Sequence, residues 1–295
     1  MLGVVIVTYR PPAGSLRRAV RSVLSAGGVD LVVVVDHGGL AAVELADELA
    51  ADHDGPRLEL VTPARNGGFG AGVNVGAARC LDAGATAVAV LNDDLHVEPD
   101  WVAPLLAALA ADPSVGAVQP KLLYADRVER TVNSMGVELD AAGAGADIGI
   151  GRPDGPEFTE PRDIPLFTGG AVVFRREFLE QVGLFAERYF LYYEDVELGL
   201  RGARAGYRYR CEPASVVWHE GSATTATLGD RTRYLQERNR LRVLARHGSP
   251  AALGRGTWLS VRRLRHAPKG VHAKALAAGI VGMPGELWRR ALSRP

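Results

Sequence analysis

Residues 3–36 read GVVIVTYRPPAGSLRRAVRSVLSAGGVDLVVVVD. A β-branched run at 3–9, a Leu/Arg/Ala stretch at 15–27 ended by glycine, and a second β-branched run at 31–36 predict strand, helix and strand. Neither strand alternates apolar with polar residues, so both are expected to be buried on two faces, as parallel strands under helices are. The pattern continues outward. AAVELADELAADH (41–53) predicts a helix, RLELVTP (57–63) a third strand, the segment from Gly70 to Leu81 a helix, and ATAVAVLNDD (85–94) a fourth strand. Ligands of such sheets bind beyond the carboxyl ends of the strands. Thr8, Asp36, Asn66 and the Asn92-Asp93-Asp94 group fall at those ends, and one crevice is expected to hold them. No internal repeat is evident.

The 295 residues allow one large domain or two small ones, with ample apolar content for a core. Lys plus Arg and Asp plus Glu both number 34, so no net charge advertises a nucleic-acid partner. Cys80 and Cys211 lack metal-like spacing and read as free thiols of a reducing compartment. The start, MLGVVIVTYRPP, has no basic leader, and the expectation is a chain without a secretory signal. No apolar run approaches the roughly 20 residues that span a bilayer. Basic residues gather late, in VRRLRHAPKGVHAK (261–274) and LWRRALSRP (287–295). That mixture with Leu, Val and Trp suits peripheral contact with anionic lipid and equally a solvated helical tail.

The second half changes character. Residues 136–162 are rich in Gly, Pro and Asp, which predicts an irregular or mobile loop, a potential lid. IPLFTGGAVVFRREFLEQVG (164–183) predicts strand, turn and helix, and DRTRYLQERNRLRVLARH (230–247) a basic helix. Between them LFAERYFLYYEDVELGLRGARAGYRYRCEPASVVWH (184–219) sets acids on a core-like background. Buried acids need a partner or a task. Glu194, Asp195 and Glu197 follow the apolar run 189–193, and a catalytic base is sought there. A helix start with acids complementing its dipole explains the same EDVE pattern, and both can hold together.

The succession VVIVTYR, VVVVDHGG, RNGGFGAGVNVGAA, LNDDLHVEPDW, FTGGAVVFRREFLEQVGLF, YYEDVELGLRGARAGYRYR, VVWHEGSATT and YLQERNRLRV resembles family 2 glycosyltransferases. It is most similar to bacterial rhamnosyltransferase-type members of cell-envelope polysaccharide pathways, over residues 1 to about 247. The resemblance implies an α/β GT-A fold whose mostly parallel central sheet is flanked by helices. It implies a nucleotide-sugar-binding half (1–125), an acceptor-binding and catalytic half (126–247), and a basic helical C-terminal extension (248–295). The implied reaction is an inverting sugar transfer assisted by Mg²⁺ or Mn²⁺. Its donor is a nucleoside diphosphate sugar of dTDP or UDP type, its acceptor a glycan or polyprenyl-linked glycan. The implied location is cytoplasmic, peripheral to the inner face of the membrane.

Each matching motif implies a role with a chemical reason. Charge grows on the departing diphosphate, so oxygen-ligated cations belong at the end of strand four. Asn92-Asp93-Asp94 stands where the family has Asp-x-Asp, with Asp94 as the direct ligand. His219 joins Asp94 at the cation. Asp195 removes the acceptor proton from the face opposite the leaving group, and Glu194 orients or binds the acceptor beside it. Thr8 and Asp36 face the nucleoside, although the family's Asn and small hydroxyl residue after Asp36 are His37 and Gly38 here. Arg65, Asn66, Gly67, Gly72 and Asn74 assign the GGFGAGVNVG loop to the nucleotide sugar. Gly169 and Gly170 lie beside both sugars, and Arg238 pairs with the diphosphate. Turn roles for Asp36 and Gly169-Gly170, and a solvated basic face for Arg238, stay open.

Three rival classes share parts of this pattern. A nucleotide-dependent oxidoreductase lacks its fingerprint, since the glycines run Gly70-x-Gly72 then Gly76, one residue too long for GxGxxG. A nucleotidyltransferase lacks a basic phosphate loop after strand one. A catalytically weak carbohydrate-binding or scaffold protein accommodates Asn92 and the altered DHGG.

Overall fold

In the computed structural model, which describes residues 1–50, 55–220 and 229–292, β1 (Leu2–Thr8) and β2 (Leu31–Asp36) are buried at every position. They run parallel, from Gly3 opposite Leu31 to Thr8 opposite Asp36. Their side chains divide by parity. Leu2, Val4, Ile6, Val32 and Val34 pack on one face with Leu16, Val20 and Val23 of α1 (Ser15–Leu24). Val5, Val7, Val33 and Val35 pack on the other with Val73, Ala77 and Cys80 of α4 (Phe69–Asp82). Each fully buried Val or Leu contributes roughly 1.5–3 kcal/mol, so helices are required on both sides. Helix α4 lies unusually close to β1, because a Cβ at Gly72 or Gly76 would stand 2.6 Å from Val7 or 2.4 Å from Val5.

Two short helices, α2 (Ala41–Glu44) and α3 (Ala46–Ala50), replace the single helix expected over 41–53; residues 51–53 lie outside the described residues. β3 (Arg57–Val61) pairs parallel to β2, and β4 (Ala87–Asn92) parallel to β1. Next come β5 (Leu95–Val97), α5 (Val102–Ala111), β6 (Val115–Tyr124), β7 (Val132–Ser134), β8 (Val137–Leu139), β9 (Gly145–Asp147) and β10 (Arg162–Ile164). The rest is β11 (Ala171–Arg175), α6 (Arg176–Val182), α7 (Glu194–Arg204), β12 (Arg208–His219), α8 (Gly229–His247), α9 (Pro250–Arg263) and α10 (Lys269–Leu292). The main sheet has the order β10-β12-β6-β11-β4-β1-β2-β3. The stretch β4-β1-β2-β3 is parallel, and β11 enters antiparallel to both β4 and β6. The change of direction at β4 sets strand ends from both halves of the chain around one crevice.

The Gly/Asp-rich segment 136–162 is not the irregular loop its composition suggests. β8 and β9 form a hairpin from Val137 opposite Asp147 to Leu139 opposite Gly145, and β10 pairs with β12. Its glycines serve turns: Gly143 and Gly149 are left-handed (φ 74° and 79°). Strand-length runs of three residues are too short for periodicity to reveal.

Cys80 and Cys211 are free and buried, and burial pushes both thiols up to about 12. Among the described residues no helix is long and apolar enough to cross a membrane.

Candidate active site

Two joined cavities open at the strand ends, sharing Phe69, Asn92, Tyr192 and His219 as walls. The smaller, about 260 Å³, is lined by Thr8, His37, Asn66, Asp93, Asp94 and Arg231. The larger, about 550 Å³, is lined by Asp147, Thr168, Gly169, Glu194, Asp195 and Arg263.

Between the cavities, β4 delivers Asn92, whose amide is fixed by Gly170 O at 2.9 Å. Asp93 turns inward, accepting from Thr8 Oγ1 at 2.6 Å. Burial pushes its carboxyl up to about 6, against the Thr8 hydrogen bond and with help from Asp94. Asp94 Oδ2 lies 3.1 Å from His219 Nε2, at the end of β12. The other His219 nitrogen meets Asn133 Oδ1 at 3.2 Å, and Tyr124 stacks on the ring. Burial opposes protonation of His219, but the bond and charge of Asp94 outweigh it and raise the pKa.

Asp94 Oδ1 is buried without a hydrogen-bond partner. A buried carboxylate oxygen so placed is a ready acceptor for a hard cation. Among the described residues no cluster of three His, Cys, Asp or Glu side chains assembles. The donor set is therefore Asp94 with His219, and it fits a divalent cation that takes its remaining oxygens from a ligand or water. The small residues after His219, from Gly221 on, lie outside the described residues.

The acids of the larger cavity are placed by a strained turn. Phe190, Tyr192 and Tyr193 all have positive φ (69°, 66° and 69°), a conformation that costs bulky residues of order 1–3 kcal/mol each. Asn239 of α8 compensates, its amide nitrogen lying 2.9, 2.9 and 2.7 Å from the carbonyls of Tyr189, Leu191 and Tyr192. The Phe190 carbonyl accepts from Phe69 N at 2.7 Å, tying the turn to the start of α4. Only glycine fits before that bond, since a Cβ on Gly68 (φ 90°) would sit 2.1 Å from Phe190 O.

Out of this turn α7 starts with Glu194, Asp195 and Glu197 in its first turn. Asp195 accepts from Gly169 N at 2.9 Å and Val196 N at 2.7 Å. Burial raises its pKa and these amides oppose the rise. Glu194 is 4% exposed with Oε2 unpartnered. Burial, then the Asp195 charge, push it up to about 8, so the proton stays on near neutrality. Glu197 faces away. Burial would raise it, but His247 and Arg201 hold it at about 2, with Arg188 and Arg246 also in ion-pair range.

Several expected ligand residues are occupied elsewhere. The Asp36 carboxylate is 2% exposed and accepts the amides of Gly38, Gly39 and Ala41 at 2.7, 3.0 and 2.8 Å, which makes it the organiser of its own turn. His37 from that turn reaches the smaller cavity instead. Asn74 brackets the backbone of Phe185, donating to its carbonyl and accepting from its amide at 2.9 Å each. Gly72 serves helix packing, and Gly67 and the exposed Arg65 line neither cavity. Arg238 donates to Tyr189 O at 2.7 Å and Asn239 Oδ1 at 2.8 Å, so it supports the turn rather than facing a cavity. Asn66 accepts from Gly68 N at 2.8 Å and stays on the wall of the smaller cavity. Gly169 and Gly170 both line the larger one.

A family model described as glycosyltransferase-like family 2 matches residues 2–262. The chain belongs to this family. The glycosyltransferase is 29% identical over 242 residues to the N-acetylglucosaminyl-diphospho-decaprenol L-rhamnosyltransferase of Mycobacterium tuberculosis, covering 76% of this chain and 78% of the relative. It is 36% identical over 141 residues to the O-antigen biosynthesis protein RfbC of Myxococcus xanthus, which covers 45% of this chain and 11% of that protein. Its fold is that of GalNAc-T7 solved with UDP, GalNAc and Mn²⁺ (TM-score 0.67, 18% identity, 98% of this chain and 57% of that one). The mannosyltransferase PcManGT of Pyrobaculum calidifontis, solved with GDP-Man and Mn²⁺, shares it too (TM-score 0.56, 18% identity, 99% and 86%). The protein is thus a GT-A nucleotide-sugar glycosyltransferase.

Three side chains of this glycosyltransferase's crevice, and the buried Asn239 behind it, escape sequence reasoning. Asn133 stands on the three-residue β7 and Asp147 in the Gly/Asp-rich segment, where no periodicity marks a wall. Arg231 lies on the wall of the smaller cavity, within 5.2 Å of the Phe190 ring. Asn239 neighbours the expected Arg238, and a short amide among charges in QERNR was the one available signal.

Proposed function

We propose that the enzyme performs an inverting transfer, with the nucleoside diphosphate in the smaller cavity and the acceptor in the larger. The observation that carries this reading is the opposition of Asp195 and Asp94 across the Asn92–His219 partition. A carboxylate fixed by two backbone amides stands on the acceptor side, and a carboxylate with an unpartnered oxygen stands on the donor side. Asp195 takes the proton of the attacking hydroxyl. Single-base attack from the face opposite the leaving group inverts the anomeric centre, by the logic of inverting glycosidases. Glu194, protonated near neutrality, donates a hydrogen bond to the acceptor or its neighbour.

Asp94 and His219 would hold the Mg²⁺ or Mn²⁺, which when bound neutralises charge developing on the diphosphate. Arg231 adds a guanidinium on the same side. His37, whose pKa burial lowers from 6.5, is neutral near pH 7 and suits a nucleoside edge. Residues 1–125 supply most of the donor half and 126–247 the acceptor half, with His219 and Arg231 reaching back to the donor side. The mycobacterial relative's name favours rhamnose and a polyprenyl-linked or other glycan acceptor in cell-envelope polysaccharide synthesis, with dTDP-rhamnose as our reading of the donor, ahead of UDP sugars. That reading places the reaction at the cytoplasmic face of the membrane.

The test is turnover of dTDP-rhamnose and UDP sugars with Mn²⁺ or EDTA, with the anomeric configuration of the product read by NMR. Cation-dependent transfer with inversion is expected. A product retaining the donor's configuration would sink the Asp195 assignment.

A further inference from the structure

The last helix is amphipathic the wrong way round for a free protein surface. Its inner face, with Ala275, Gly279 and Glu286 buried, packs on α8: a Cβ at Gly279 would lie 2.6 Å from Leu241. Glu286 bonds Arg188 from the same side at 2.6 Å. The outward face carries Ile280, Val281, Leu287, Trp288 and Leu292, with Val281 80% and Trp288 65% exposed. Positions 280, 284, 287, 288 and 291 follow helical spacing, and all of them are apolar and exposed. On the preceding helix α9, Trp258 (62% exposed) and Val261, one turn apart, are exposed as well. Scattered exposed apolar residues need no explanation, whereas an apolar stripe along one helix face with a tryptophan in it does.

The charge around the stripe has one sign. Residues 248–295 contain nine Lys and Arg and a single acid, Glu286, which is buried and ion-paired. Arg262, Arg265, Lys269, Lys274 and Arg289 are all exposed. The rest of the neutral chain carries the compensating acids, so this pole is strongly basic while the body is acidic.

We propose that the outer face of the α9–α10 hairpin docks on an anionic lipid bilayer, with Trp258, Val281 and Trp288 entering the interface. Apolar residues with aromatic anchors supply insertion, and the flanking basic side chains supply attraction to anionic headgroups. A second copy of the chain is the competing occupant. Pairing two such faces would bring basic surface against basic surface with no exposed acid to offset it, whereas an anionic leaflet provides the missing charge. Docking this way sets the larger cavity near the membrane, because Arg263 at the end of α9 lines it.

The inference stands on the C-terminal surface alone, and a binding assay without donor or acceptor separates it from the reading of the reaction. The full chain is sedimented with vesicles of pure phosphatidylcholine and of phosphatidylcholine with phosphatidylglycerol, at low and high salt. Salt-sensitive binding to the anionic vesicles is expected, with a blue shift of tryptophan emission that Trp258→Ser/Trp288→Ser abolishes. Arg262→Gln/Arg265→Gln should weaken partitioning roughly thirtyfold, about fivefold for each charge removed. Val281→Ser should weaken it while leaving the thermal midpoint and the stabilisation by nucleoside diphosphate unchanged, which shows that the fold is intact. No binding to anionic vesicles, or equal binding to neutral ones, would overturn the proposal. So would a dimer in light scattering that Val281→Asp disperses, which would assign the face to a second copy.

Discussion

The two sides of the crevice are built by different means. On the donor side, Thr8, Asn92, Asp93 and Asp94 sit where parallel strands end, and the ladder from β3 to β4 fixes their places. On the acceptor side, Glu194 and Asp195 leave a turn with three left-handed aromatic residues that one buried amide, Asn239, holds in shape. The first arrangement distributes its support over many backbone bonds. The second concentrates it in a few side chains, so equal chemical insults should have unequal effects.

The largest expected effect tests the acceptor side directly. Asp195→Asn keeps the volume and one of the two backbone amide contacts but removes the base, and kcat should fall roughly 10²–10⁴-fold. Nucleoside diphosphate binding, read by thermal shift, should be retained. Unchanged turnover would return the acids to a purely helix-starting role.

Removing the clamp comes next. Asn239→Ala releases the Leu191 and Tyr192 carbonyls, while Tyr189 O keeps its bond from Arg238, and the weakened turn should cost about 1–3 kcal/mol in urea unfolding. Displacing the acids should lower kcat on the order of 10–100-fold with little change in donor KM. If both kinetic constants hold, the turn does not need its clamp, and the contrast between the two sides fails.

A third experiment uses pH. Glu194 has an ordinary value of 4.5 and is raised to about 8 in the folded state. Its stabilising contribution is complete below 4.5, declines as pH rises, and is gone above about 8, with a limiting slope of about 1.4 kcal/mol per pH unit. Glu194→Gln should therefore gain stability relative to wild type between pH 5 and 9, and equal slopes for the two proteins would contradict the buried neutral acid.

The smallest effect is expected on the donor side. Asp36→Ala removes the acceptor of three turn amides and should cost about 1–2 kcal/mol while leaving donor KM essentially unchanged. A large rise in KM would restore Asp36 to nucleoside contact.

The same contrast explains what was legible in the sequence. Buried parallel strands announce themselves as unbroken Val/Ile/Leu runs, and the topology then places whatever stands at their ends, which is how Thr8, Asp93 and Asp94 were located. Nothing local distinguishes a polar residue facing a ligand from one bonded to its own backbone. Asp36, Asn74 and Arg238 read as ligand contacts for that reason and proved to be held by Gly38, Phe185 and Tyr189. Asn239 was invisible for the converse reason: its partners lie some 50 positions away and are carbonyls, which every residue possesses. Asp147 hid in a segment whose composition masks three-residue strands.

The bond from Phe69 N to Phe190 O, with only glycine fitting at 68, bears on how such enzymes are recombined. A chimera that exchanges the second half to change the acceptor cuts through this weld, even if its junction falls in a surface loop. Residues 66–69 must travel with the turn they touch, so the exchangeable module is discontinuous along the chain.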